Sequence, residues 1–206
     1  MSLTRFPRPP GEGAPAAAAS LSPEALTLLA QRRSTKIAHM GEPGPSPEAL
    51  RDILSLAVRA PDHGKLAPWR FLLLEGEGRA RAGAALAAIH EADGAGAETI
   101  AAERGRFLRA PCVVAVVSRA GPHPKIPQWE QELSAGAVCF ALLLAGHAAG
   151  FAGCWLTEWP AYDARARAAL GLAPEERIAG FVYLGTAREP AIERARPDLA
   201  GLVQVF

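Results

Sequence analysis

The segment that most constrains the fold is WEQELSAGAVCFALLLAGHAAG, residues 129–150, which has the composition of one long helix. Its beginning is polar, but its later part is apolar on nearly every side. A helix that is apolar all round has to be buried. A membrane span needs about 20 apolar residues with few interruptions, whereas His147 and several glycines interrupt this stretch. We therefore predict a buried core helix that turns into a strand, not a membrane span.

The remaining chain mixes helix signals with short apolar runs. The tripeptide Ser-Pro-Glu occurs at residues 22–24 and 46–48, and it combines a capping serine, a proline at the first helical position and an early acid. The second helix places one apolar face at helical spacing, formed by Leu50, Ile53, Leu54, Ala57 and Val58.

Strands are predicted where apolar runs are short. We expect them at residues 71–75, 111–118, 151–157 and 178–186, and LVQVF at residues 202–206 alternates like a short fifth strand. Helices interspersed with core strands predict a mixed α/β sandwich in which the long helix packs on the sheet.

Length and composition suit a globular protein. The chain has 206 residues, which fits one domain, here residues 22–206, and residues 1–21 are predicted to form a disordered arm without the apolar core of a secretory signal. The net charge of +1 argues for neither a nucleic-acid nor a membrane partner. Cys112, Cys139 and Cys154 are odd in number and lie in apolar contexts, which predicts reduced, buried thiols in a cytoplasmic protein.

Several common site patterns are missing from the sequence. Gly76 and Gly78 follow a strand, but Arg81 stands where a dinucleotide-binding loop needs its third glycine. There is no G-x-S-x-G nucleophile pattern, and the five histidines have no metal-ligand spacing. We therefore predict neither a catalytic nucleophile nor a metal site.

A first candidate site is RRSTK, residues 32–36, with three cations and two hydroxyls within five residues. Guanidinium groups suit a phosphate, and the hydroxyls can add further hydrogen bonds. The alternative is a solvated helix end at which Arg32 and Arg33 complement the helix dipole.

A second candidate is APDHGKLAPW, residues 60–69, which predicts a rigid loop between a helix and a strand. A plain helix stop with a buried tryptophan would explain the prolines, Gly64 and Trp69. It leaves Arg59, His63 and Lys65 unexplained. Cations at the mouth of an apolar strand suit an electron-rich heterocycle that becomes anionic when it is reduced.

Four segments together resemble the flavin-dependent nitroreductase family, in particular its small single-domain, YdjA-like branch. The segments are RRSTK, ILSLAVRAPDHGKLAPWRFLLLEGEGR, KIPQWEQELSAGAVCFALLLAGHAAGFAGCWLTE and IAGFVYLGTA. The resemblance implies an α+β, three-layer sandwich whose mixed β-sheet is flanked by helices, in an intertwined homodimer. It further implies one FMN in each of two clefts built from both subunits. FMN would pass electrons from NADH or NADPH to nitro compounds, quinones or similar small-molecule acceptors.

The same resemblance assigns site residues. Arg32, Arg33 and Ser34 are expected on the FMN phosphate and ribityl chain, and Arg59 and His63 near the flavin of the partner subunit. A further set is expected along the flavin from the other subunit: Trp155, Leu156 and Thr157.

The residues leave some points open. AGHAAG, residues 145–150, matches a segment linked to the nicotinamide cofactor, but a mostly apolar helix end also fits simple packing, with His147 as a core histidine. Lys36 stands where the family often has arginine, and Leu156 where the branch can have a basic residue.

The resemblance predicts ping-pong hydride transfer in which the flavin carries the chemistry and no side chain acts as a catalytic group. Three alternatives remain. The first is the same fold with other flavin chemistry, such as flavin fragmentation, dehalogenation or dehydrogenation of a small metabolite. The others are a flavin-binding or storage protein and a structural dimer that has lost FMN.

Overall fold

The computed structural model describes residues 6–16 and 18–206. Its helices are α1 (Pro23–Gln31), α2 (Pro47–Ala57), α3 (Glu77–Ala92), α4 (Ala97–Arg104), α5 (Gln128–Ala148) and α6 (Ala164–Ala169). Its strands are β1 (Met40–Gly41), β2 (Trp69–Leu74), β3 (Cys112–Ser118), β4 (Ala152–Leu156) and β5 (Arg177–Ala187). The four predicted core strands and the long helix are confirmed, with small differences in their bounds.

The Ser-Pro-Glu signals begin α1 and α2 as predicted. The Ser22 hydroxyl accepts a hydrogen bond from the Ala25 N–H at 3.4 Å, and the Ser46 hydroxyl accepts one from the Ala49 N–H at 3.2 Å. Each bond satisfies an N–H group that has no partner within the helix. Val58, which we expected on the apolar face of α2, lies just beyond the end of that helix and is 41% exposed.

The sheet is organised around β5, which pairs with β1, β3 and β4, while β2 pairs with β3. All of these pairings are antiparallel. The expectation of a mixed sheet is therefore wrong for the described strands, although the α+β class is confirmed. The strands that pair here run in opposite directions, so no parallel crossover is needed between them.

Helices cover both faces of the sheet, and the three-layer arrangement is confirmed. All seven residues of β3 are buried, and successive side chains point to opposite faces. Val113, Ala115 and Val117 face one core, whereas Val114 and Val116 face the other. The first core contains residues of α3 and α6, and the second contains residues of α2 and α5.

The long helix α5 packs in the second core. By length and composition alone it could cross a membrane, yet half of its most apolar window is buried inside the protein. Its buried residues face α2 and the sheet, as in a core helix of a globular protein. The prediction of a buried core helix is confirmed for the buried half of this apolar window.

The two chain ends differ from the core. Residues 6–16 and 18–21 of the predicted arm contain no helix or strand, and residues 1–5 and 17 lie outside the described part. The strand predicted for residues 202–206 is wrong, because this exposed segment has no strand structure. A strand requires a hydrogen-bonded neighbour, and none of the described residues pairs with this segment.

Candidate functional site

The RRSTK segment leaves the end of α1 and runs against the sheet. Arg32 is the C-cap residue of α1, and its N–H donates to the Leu28 carbonyl at 2.9 Å. The Thr35 N–H then donates to the Gly153 carbonyl in β4 at 3.0 Å, and Thr35 is buried. This bond places the first candidate site next to the strand that carries Trp155 and Leu156.

Arg32 has a donor that the described part of the chain does not use. Its guanidinium lies 6.0 Å from the centroid of the Phe140 ring, and its Nε atom is buried without a hydrogen-bond partner. Arg32 also borders a cleft of about 950 Å³ between α1 and the end of α5, together with His147. A partly buried guanidinium with a free N–H beside a cleft suits an anionic group such as a phosphate.

His147 occupies the inner side of the same region. Burial lowers the pKa of His147, and the positive charge of Arg32 lowers it further. His147 is therefore neutral at neutral pH. It is only partly buried and borders the cleft, and its Nδ1 atom has no hydrogen-bond partner among the described residues, which differs from the expected core histidine.

Arg33, unlike Arg32, contacts the segment that follows β5. The Arg33 side chain is 20% exposed; its Nε–H donates to the Ile192 carbonyl at 3.1 Å and lies 3.5 Å from the Glu193 carboxylate. Ser34 is partly buried, and Lys36 is exposed. The segment after β5 thus reaches the predicted phosphate site, a contact for which the sequence carries no local signal.

The second candidate site is a loop held by side-chain hydrogen bonds. The Asp62 carboxylate accepts from the Leu66 and Ala67 N–H groups at 3.1 and 2.8 Å. Gly64, Lys65 and Ala67 all have positive φ, at 74°, 55° and 44°. For Lys65 and Ala67 this conformation is uncommon and requires support from neighbouring groups.

Ser134 of α5 joins the two ends of this loop. Its hydroxyl donates to the Pro61 carbonyl at 2.6 Å and accepts from the Trp69 indole N–H at 3.1 Å. The predicted rigid loop is present, and its rigidity depends on a helix residue that is distant in sequence.

Unlike Asp62, the cationic and histidine side chains at this loop are exposed. Arg59 is exposed, and His63 is 63% exposed with its Nδ1 atom 2.7 Å from a Glu130 carboxylate oxygen. Lys65 is exposed as well. Sequence reasoning missed Glu130 as the partner of His63, because an acid in the first turn of a helix is ordinary and the two residues are 67 positions apart.

The third group of predicted residues is at the end of β4. Trp155 is 37% exposed, and its indole N–H donates to the Ala179 carbonyl at 3.2 Å. The ring lies over Gly180, where a Cβ atom would collide with it. Leu156 packs on the first core, and the Thr157 hydroxyl accepts from the Tyr162 hydroxyl at 2.9 Å.

An ion-pair network that the sequence did not indicate lies directly behind this strand end. Glu158 contacts Arg106 at 2.8 Å and Arg109 at 2.7 Å, from a 3-10 turn just before β3. Glu158 also has a positive φ of 53°. The network is assembled from segments about 50 residues apart, a separation at which local patterns carry no information.

Within one chain, two of the three predicted groups come together and the third does not. The Thr35–Gly153 bond joins the RRSTK segment to β4, and Arg32 lies against Phe140 of α5. The loop around His63 instead meets α5 at Glu130. At 1.5 Å per helical residue, Glu130 and Phe140 are about 15 Å apart along α5.

The described residues offer little support for other site chemistry. Among residues 6–16 and 18–206, no group of three or more His, Cys, Asp and Glu side chains is placed to hold a metal ion. The three cysteines are unpaired and buried, as predicted. Burial raises the pKa of Cys112 and of Cys139 to about 12, so both thiols remain protonated and unreactive at neutral pH.

Comparison with known proteins gives consistent results. The model of the nitroreductase family matches residues 29–186. A curated protein of Escherichia coli K12 named "Putative NAD(P)H nitroreductase YdjA" is 41% identical over 167 residues, which is 79% of this chain and 88% of that protein.

Two solved structures extend this comparison to the fold. The nitroreductase-like family protein from Bacillus cereus has a TM-score of 0.75 at 21% identity and covers 93% of this chain and 99% of its own. A structure from Desulfovibrio desulfuricans, described as "a putative nitroreductase in complex with FMN", has a TM-score of 0.69 at 26% identity and covers 91% of this chain and 98% of its own. The first similarity concerns the fold alone.

Proposed function

This chain belongs to the nitroreductase family, and we propose that it is an FMN-dependent oxidoreductase that takes electrons from NADH or NADPH. The observation that carries the proposal is the family match over residues 29–186, which includes RRSTK, the Arg59–His63 loop and β4. The Desulfovibrio relative, solved with FMN, supports the choice of cofactor.

The residues of this chain fit a flavin phosphate. Arg32 has a buried, unused Nε–H beside a cleft, and Arg33 and Ser34 follow it directly. We assign these three residues to the phosphate and ribityl chain. A phosphate would compete with the Glu193 carboxylate for Arg33, since both are anions at the same guanidinium.

Arg59 and His63 are assigned to the ring of a flavin held by the partner subunit. Their loop is exposed and rigid, which suits side chains that have to reach a ligand outside their own chain. A cation beside the ring favours its reduced, anionic form by charge stabilisation. Trp155, Leu156 and Thr157 are assigned along the flavin, where the partly exposed indole offers an apolar surface.

Bound FMN would supply ping-pong hydride-transfer chemistry between NAD(P)H and a nitro compound, quinone or similar acceptor. The protein contributes binding, orientation and electrostatics, and none of its side chains needs to act as a nucleophile. The acceptor and the nicotinamide would use the same cleft in turn.

A homodimer is part of the proposal, because α1 and the outer side of α5 expose apolar side chains. None of the nine residues of α1 is buried. The side of α5 that faces away from the core exposes apolar side chains next to Glu130. The exposed apolar residues of the two helices are Leu26, Leu29, Trp129, Leu133 and Phe140. An unpartnered apolar face of this kind is typical of a subunit interface.

The ends of the chain and its cell compartment complete the proposal. Residues 22–206 would form the FMN-binding domain, with residues 1–21 as an arm. The exposed apolar end, residues 202–206, would lie along the partner, where it could add to a sheet edge. Three unpaired, buried cysteines support a reducing, cytoplasmic location.

The test is the visible spectrum of the purified protein, before and after anaerobic addition of NADPH or NADH. We expect flavin absorption that is bleached by one or both nucleotides. The double variant Arg32→Ala/Arg33→Ala should lose the bound flavin, whereas Arg51→Ala, which removes an exposed arginine of α2, should retain it. Bound flavin that neither nucleotide bleaches would instead favour a storage protein.

A further inference from the structure

We infer that Glu158 is a positioning residue: its carboxylate, held by Arg106 and Arg109, fixes the backbone at the end of β4 and so orients residues 155–157 toward the flavin. The inference rests on the proposed function, because it takes those three residues to border FMN. It adds a residue that acts through the backbone and not by touching the cofactor.

The backbone of Glu158 has a conformation that side chains avoid. Its φ is 53° and its ψ is 178°, a combination that is essentially reserved for glycine. Such a conformation persists only when the surrounding structure holds it in place, and it occurs most often at functional sites. Glu158 immediately follows Thr157, the last of the predicted flavin residues.

The Glu158 carboxylate is held by two arginines of one short turn. Its Oε2 atom lies 2.8 Å from Nη1 of Arg106 and 2.7 Å from Nη2 of Arg109. Its Oε1 atom accepts a second bond from Arg109 at 3.3 Å. Two-point binding by a guanidinium restricts the orientation of the carboxylate as well as its position.

Both arginines have further hydrogen-bond partners, although Arg106 is largely buried and Arg109 is partly exposed. The Arg106 Nε–H donates to Glu103 at 2.6 Å, and Glu103 also accepts from the Trp159 indole at 2.9 Å. Arg109 donates to the hydroxyl of the fully buried Tyr183 at 3.1 Å. The carboxylates of Glu103 and Glu158 thus balance the guanidinium groups of Arg106 and Arg109. The hydrogen bond from Arg109 to the Tyr183 hydroxyl connects this network to β5.

The charge of Glu158 is maintained at neutral pH. Burial alone would raise the pKa of Glu158, but the hydrogen bond from Arg109 and the charges of both arginines outweigh burial and hold this pKa below its usual value. The ion pairs that support the strained backbone are therefore present under ordinary conditions.

The predicted flavin residues 155–157 immediately precede Glu158 in the chain. Leu156 packs into the first core, on the side of the network, while Trp155 pairs with Val182, which faces the second core and α5. A change in the backbone at Glu158 would therefore reorient Trp155 and Leu156 together. The two side chains would move on opposite faces of the sheet, since adjacent strand residues point to opposite faces.

The test is FMN binding by the apo-protein, followed by quenching of flavin fluorescence. Glu158→Ala keeps the strained position but removes the carboxylate, so we expect affinity to fall on the order of tenfold. Glu158→Gly should recover most of that loss, because glycine adopts the same φ and ψ without strain. The matched control is Glu176→Ala, which removes a carboxylate that binds Arg70 at two points and should leave FMN affinity unchanged.

Wild-type FMN affinity in Glu158→Ala, or equal affinities in Glu158→Ala and Glu158→Gly, would overturn the inference. If Glu158→Ala does not fold, Arg109→Lys replaces it, because lysine lacks the planar fork with which arginine holds two carboxylate oxygens. This variant should also weaken FMN binding. Failure of the wild-type protein to bind FMN would instead contradict the proposed function. In that case the melting temperature tests the backbone claim separately, with Glu158→Gly expected above Glu158→Ala and the reverse order contradicting it.

Discussion

At the scale of single residues, the candidate site depends on contacts that reach across the sequence. His63 is paired with Glu130, Arg33 with Glu193, and Glu158 with Arg109. The first two pairs join a residue with a predicted role to a residue without one, and the third pair lies next to the predicted residues 155–157. The sequence predicts which side chains border the cofactor, and this assignment stays a prediction, whereas the partners of these side chains became visible only in the structure.

Ser134 gives a prediction at this scale. Ser134→Ala leaves the Trp69 indole N–H and the Pro61 carbonyl without their shared partner. We expect the free energy of unfolding to fall by about 1–3 kcal/mol, measured by urea denaturation. Ser55→Ala is the control, because this serine only donates to the Asp52 carbonyl of its own helix; its effect should stay within about 0.5 kcal/mol. Equal stability of the two variants would contradict the role of Ser134.

At the scale of elements, the sequence was sufficient where local patterns decide the structure. The capping serines located α1 and α2, and the continuous apolar run of β3 marked a strand buried on both faces. Local patterns failed for residues 202–206, where alternation suggested a strand but none of the residues that the structure describes pairs with it. The two-residue β1 was too short to be detected, because it exists only through its pairing with β5.

The exposed face of α5 gives a prediction at the same scale. Leu133→Glu places a charge in the proposed subunit interface, where Leu133 is 53% exposed in the single chain. We expect the dimer to dissociate in sedimentation experiments while the helical content is retained. The control is Leu108→Glu, at a residue that is 50% exposed on the other side of the sheet. Dissociation by both variants, or by neither, would argue against α5 as the interface.

At the scale of the whole molecule, ion pairs link stability to pH. Hydrogen bonds from Arg70 lower the pKa of Glu176 from 4.5 to about 2. Because the folded-state pKa is the lower one, the folded protein gains stability from this pair above pH 4.5 and loses it as the pH falls toward 2.

Glu176→Gln tests this dependence. The stability difference between the wild type and Glu176→Gln should be constant at neutral pH, shrink below pH 4.5 and disappear as the pH approaches 2. Thermal unfolding of both proteins over this range measures it. A difference that is independent of pH would show that the charge of Glu176 contributes nothing to stability.

The central claim at this scale is that each flavin site is shared by two subunits, and subunit complementation tests it most directly. One parent is Arg32→Ala/Arg33→Ala and the other is Arg59→Ala/His63→Ala; each is expected to lose FMN as a homodimer. In a mixed dimer isolated by two different tags, both lesions fall in one cleft and the other cleft is intact. We predict one FMN per mixed dimer, bound with wild-type affinity. A mixed dimer that binds no FMN would contradict the claim, because each site would then be contained in a single subunit.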